Sequence, residues 1–74
     1  MRPFELRPTK NGEGFDLTEP DSRGKLHFYS MRSAFVYAQS RARKPEAEFV
    51  VCDPAGNVRH RWMLTQEFDD ADAR

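Results

Sequence analysis

The sequence predicts a small α+β domain, a two-layer arrangement of an antiparallel sheet and one amphipathic helix in the order β-β-β-α-β-β. Three observations carry that class. Before Ser30, apolar and polar residues alternate in short runs divided by Gly- and Pro-containing turns. After Ser30 the apolar spacing changes to threes and fours. A continuous apolar run, Phe49-Val50-Val51-Cys52, then leads through Asp53-Pro54-Ala55-Gly56-Asn57 into a second alternating run.

Phe4 and Leu6 alternate with Glu5 and Arg7 as in a half-buried strand, and Pro8 is expected to stop it. Lys10-Asn11-Gly12-Glu13-Gly14 is a turn whose glycines can take positive φ, so Phe15-Asp16-Leu17-Thr18 returns as the second strand with Phe15 and Leu17 inward. Pro20 to Gly24 turns the chain again, and Leu26-His27-Phe28-Tyr29 reads as a short third strand. Met31, Ala34, Phe35, Ala38 and Ala42 then share one helical face. Ser30 is positioned to cap this helix; Arg41, Arg43 and Lys44 complement its C-terminal dipole, and Pro45 prevents continuation, which gives a helix over 31–43. Its buried stripe is mostly Ala with Phe35 as the one bulky anchor, so it can lie close to the sheet. Val36, between Arg32 and Gln39, is expected on the solvent side, and Tyr29 and Tyr37 at the rim of the core.

Residues 47–52 form the strongest strand signal, the pattern of a strand covered on both faces or interior to its sheet. Pro54 presets a turn and Gly56 supplies its left-handed residue, so Val58-Arg59-His60-Arg61-Trp62 comes back antiparallel. The expected domain is 1–62. Residues 63–74 follow as an acidic tail with room for one helical turn.

A chain of 74 residues holds one small domain, and its core has little stability to spare. No apolar run is long enough for a membrane helix, and Met1-Arg2-Pro3-Phe4-Glu5 lacks the apolar stretch of a signal peptide, so no membrane partner is expected and the cytoplasm is the expected location. One cysteine, Cys52, excludes an intrachain disulfide and a four-thiolate zinc site. Twelve basic residues balance twelve acidic ones, which argues against a nucleic-acid binder of the usual basic kind.

The stretch from Ala47 to Val58, preceded by a helix and by a strand opening on Gly14-Phe15, resembles the small bacterial domains grouped as domain-of-unknown-function family 2188. The resemblance spans roughly residues 4–62 and implies short Gly-aromatic strands, a capped Ala-rich helix and a closing hairpin. The sequence departs from that pattern in having Phe15 in place of a Trp, Pro54-Ala55 as additions to the turn, and an acidic tail. The resemblance implies no catalytic residues.

No catalytic, metal or cofactor site is expected from the residues. Cys52, Asp53, His27 and His60 have no short-range ligand spacing, Cys52 among apolar neighbours reads as a small buried hydrophobe, and the carboxylates are scattered. Gly12-Glu13-Gly14 precedes a strand and not a helix, so it is no phosphate cradle. A non-enzymatic interaction domain is the expectation. If Phe49 and Val51 face the helix, Val50 and Cys52 face away from it, and one helix cannot cover both sides. The open face would carry Val50 and Cys52 with either Val58, His60 and Trp62 or the Arg59/Arg61 pair, according to register, and Val50, Cys52, Val58 and Trp62 are the candidate residues for self-association, through the open face or an edge strand. The alternative is weak nucleic-acid binding by Arg41, Arg43, Lys44, Arg59 and Arg61. The simpler reading of those arginines is protection of a sheet edge.

Overall fold

A computed structural model describes residues 2–20, 24–42 and 47–65. It has one helix and five strands in a single sheet: β1 (Phe4–Pro8), β2 (Phe15–Thr18), β3 (Lys25–Phe28), α1 (Met31–Arg41), β4 (Glu48–Cys52) and β5 (Val58–Met63). The α+β class and the order of elements are those the sequence predicts. The sheet order is β3-β2-β1-β4-β5.

The sheet is mixed where an antiparallel one was expected, because β1 and β4 run parallel, with Phe4 beside Phe49 and Leu6 beside Val51. Chain direction explains this. β1 is antiparallel to β2 and β2 to β3, so β1 and β3 point the same way. A helix that returns the chain makes the next strand repeat the direction of the last one. β4 pairs with β1 and is therefore parallel to it.

Boundaries shift in small ways. Pro8 ends β1 from within, since its missing N–H falls on a position that does not bond to Phe15. α1 stops at Arg41, two residues before the expected end, with Ala42 as its C-cap donating to Ala38 O. Arg43, Lys44 and Pro45 lie outside the described residues. β5 runs one residue past Trp62, and Leu64 is buried in the core, so the folded unit extends beyond 62. The rest of the acidic tail, 66–74, lies outside the described residues.

The caps and turns follow from local chemistry. Ser30 has extended backbone and its Oγ accepts from Ser33 N–H at 3.1 Å, which satisfies one free donor of the first turn. Gly14, at φ 116°, sits where a Cβ would lie 2.5 Å from the Phe28 carbonyl oxygen, so neither the conformation nor the space admits another residue. In the β4–β5 turn Gly56 takes φ 94°, and its N–H donates to Asp53 O at 2.9 Å.

The core lies between α1 and one face of the sheet. Phe4, Leu6, Leu17, Phe49, Val51 and Trp62 meet Ala34, Phe35 and Ala38, with Phe15, Phe28 and Tyr37 at the margin. The two alanines bring the helix close. Phe35 fills the space between, edge-on to Phe49 with ring centroids 5.1 Å apart and to Trp62 at 6.5 Å. Gln39 Nε2 donates to Leu64 O at 2.9 Å and fastens the far side of the helix to the chain after β5. Replacing Phe35 with Ala should cost about 3–5 kcal/mol, a large part of what a domain this small can have. Urea unfolding followed by Trp62 fluorescence measures it, and a loss below about 1 kcal/mol contradicts this packing.

Candidate functional site

Alternation puts Glu5, Arg7, Asp16, Thr18, Lys25, His27, Val50, Cys52 and Arg61 on the face away from α1. Val50 and Cys52 do point away from the helix, as the sequence predicts. They are nevertheless only 1% exposed each, so they offer no apolar surface to a partner. Val50 is flanked by Glu5 on β1 and Arg61 on β5. Cys52 Sγ donates to Glu5 Oε1 at 3.8 Å, and the same Glu5 oxygen lies 3.8 Å from Arg7 Nη2. The Arg7 guanidinium reaches over β4 to within 3.3 Å of where a Gly56 Cβ would stand. The Arg7 and Glu5 side chains are both partly exposed, so their charges remain in water. Burial, and after it the Glu5 charge, pushes the Cys52 thiol up from its ordinary range, with Arg7 partly opposing, which leaves the sulfur in its unreactive thiol form.

Trp62 is a second correction. Its register partner is Phe49, which turns it toward the helix, so it belongs to the core. Val58 is 44% exposed at the start of β5. Of the four candidates for self-association, it alone meets solvent. Tyr29, expected at the core rim, is 84% exposed and packs edge-on against His27 at 4.8 Å, whereas Tyr37 does sit at the rim, 5.4 Å from Phe28.

The basic cluster is not assembled among the described residues. Arg41 projects from the helix layer, where its Nε donates to Glu19 Oε1 at 3.0 Å and its guanidinium lies 6.0 Å from the Tyr37 ring centre. The hydrogen bond to Glu19 raises the Arg41 pKa further, with smaller contributions from Tyr37 and the Glu19 charge. Arg61 stands on the opposite face of the sheet, 3.6 Å from Glu48. Arg59 is exposed on β5 near a bulge, where Val51 pairs with His60 but Cys52 pairs with Val58. No group of three or more His, Cys, Asp or Glu side chains among the described residues is placed to hold a metal ion. No helix among them is long and apolar enough to cross a membrane.

The two edges of the sheet differ. β5 carries the bulge, Arg59 and Arg61, features that obstruct pairing with another strand. β3 has neither bulge nor proline, all but its last residue are exposed, and Leu26 is 40% exposed. The direction of its free backbone groups follows from the hairpin. Thr9 N–H donates to Gly14 O at 3.0 Å. Pairs that bond alternate with pairs that do not, so Arg7/Asp16 and Glu5/Thr18 bond while Pro8/Phe15 and Leu6/Leu17 do not. Phe15 and Leu17 therefore turn their N–H and C=O toward Phe28 and Leu26. Lys25 and His27 are left to present theirs at the outer edge. The sequence reading missed β3 as the open edge; the signal it held was the lack of Pro within 25–28.

Comparison of the chain with protein families, curated proteins and solved structures finds no match.

Electrostatics at the β4–β5 turn generates a pH dependence. Asp53 Oδ1 accepts from Asn57 N–H at 2.8 Å and Oδ2 from Asn57 Nδ2 at 3.3 Å, and the bond from the backbone N–H is the largest influence holding the carboxyl below its usual range. A folded pKa below the unfolded one gives stability that is present above the unfolded value, 3.8, and lost as pH falls through the folded value. Thermal unfolding from pH 6 down to about pH 2 should fall less steeply for Asp53→Asn than for the wild type, since the amide oxygen still accepts from Asn57 but cannot be protonated in that range. Equal slopes contradict this assignment.

Proposed function

We propose that the chain is a small non-enzymatic interaction domain that self-associates through the exposed edge of β3. The observation that carries this reading is the contrast between the two edges, with β5 bulged and carrying Arg59 and Arg61, and β3 regular, largely exposed and without an obstructing feature among the described residues. The closed outer face supports the same choice, because Val50 and Cys52 have no area left to bury on a partner. Zero formal net charge removes the repulsion that would keep two copies apart. The resemblance to domain-of-unknown-function family 2188 belongs to this proposal: the helix followed by a hairpin closed by Asp53 to Asn57 is the order it implies. A cytoplasmic location is part of it as well, in keeping with the unpaired Cys52 thiol. Nucleic-acid binding loses support because Arg41 lies on the other side of the sheet from Arg61.

A strand edge of this length buries little area, so the association is weak and needs high concentration. In light scattering coupled to size-exclusion chromatography, the mean mass of the wild type should rise toward that of a dimer as concentration rises from micromolar to millimolar. Leu26→Lys should remain a monomer throughout with an unchanged circular dichroism spectrum. A wild type that is strictly monomeric across the series overturns the proposal.

A further inference from the structure

Resting on the edge-strand reading, we propose that two copies pair β3 to β3 antiparallel, with His27 opposite His27 of the partner subunit, to form one continuous ten-stranded sheet with both helices on the same side. Symmetry and alternation lead to this register. A two-fold axis perpendicular to the sheet makes the paired strands antiparallel and keeps each face continuous. A two-fold along the strands would make them parallel and set Leu26, on the helix side, against the charged outer face of the other copy.

Within the antiparallel arrangement, opposite residues lie on the same face, and the outward backbone groups belong to Lys25 and His27, with Tyr29 next in the alternation. Two registers keep the whole of β3 opposite described residues that precede α1. One sets Leu26 opposite the partner's Leu26. Its bonded pairs are Lys25 with the partner's His27 and the reciprocal, which sets Lys25 beside His27 twice, where the register centred on His27 sets one His27 beside another.

The other centres on His27. Lys25 bonds opposite the partner's Tyr29, His27 opposite the partner's His27, and Tyr29 opposite the partner's Lys25, so it has one bonded pair more. It sets Leu26 against the partner's Phe28 on the helix side, which covers the exposed Leu26 with an aromatic ring. It also places each Lys25 ammonium beside a Tyr29 ring that is otherwise 84% exposed. The edge-on contact of Tyr29 with His27 at 4.8 Å holds Tyr29 on the outer side, where this pairing needs it. The second copy of the chain fits this edge because the sequence of β3 is complementary to itself about His27.

The test is oxidative cross-linking of the full chain carrying either His27→Cys or Leu26→Cys, at the concentration where the wild type associates. Cα atoms of a bonded antiparallel pair are about 5.5 Å apart, inside the disulfide window of about 4.4–6.8 Å. His27→Cys should form a covalent dimer roughly tenfold faster than Leu26→Cys, whose own partner position lies diagonally displaced. The wild type, with Cys52 buried, serves as the control. Faster cross-linking of Leu26→Cys overturns this register while leaving edge association intact. Monomers without cross-links in both variants, with a monomeric wild type in light scattering, overturn the register and the reading beneath it.

Discussion

Burial of β4 on both faces is the constraint on which the rest of the structure depends. Phe49 and Val51 face a helix that has one large anchor, Phe35, set between alanines. Val50 and Cys52 face the other way and have no second layer of secondary structure among the described residues. They are still out of water, in the company of Glu5, Arg7 and Arg61. The two sides differ in their surroundings: aromatic side chains on one, and the charged residues Glu5, Arg7 and Arg61 on the other. The charges cost little there because their heads remain solvated and their mutual contacts are loose, as the 3.8 Å separation of Arg7 and Glu5 shows.

That division decides which surfaces remain for a partner. A sheet with one wet face needs no second copy to cover it when its interior apolar residues are already enclosed. The parallel pairing of β4 with β1 sends the hairpin to one flank and leaves β3 at the other. The β5 flank is bulged, and Leu64 beyond it is tied to Ala47 and Gln39. Among the described residues, the β3 flank has no comparable obstruction. Edge geometry, and not a greasy face, is thus the basis of the functional reading.

The number and order of elements were legible because each depends on near neighbours in the chain. Ser30 caps the helix through Ser33, Gly14 and Gly56 take the positive φ their turns need, and Val36 is on the solvent side of the helix. The side of β5 was not legible, because a shift of one residue exchanges Trp62 for Arg61, and only the pairing of Phe49 with Trp62 settles it. The parallel pair could have been anticipated from a strand-helix-strand succession. The cover over Cys52 could not, since Glu5, Arg7 and Gly56 meet there from distant parts of the sequence. Nor does the sequence show that the sheet lies between Arg41 and Arg61, while Arg43 and Lys44 lie outside the described residues.

Whether β4 is sealed within a single chain is measured most directly by the reaction of Cys52 with a thiol reagent such as dithiobisnitrobenzoate, across a dilution series under native conditions. Enclosure by residues of the same molecule predicts that Cys52 reacts at the slow, concentration-independent rate of unfolding, even where the protein is fully monomeric. Rapid modification in dilute solution that is suppressed as the protein is concentrated would show that a second molecule covers this face, and would contradict the account.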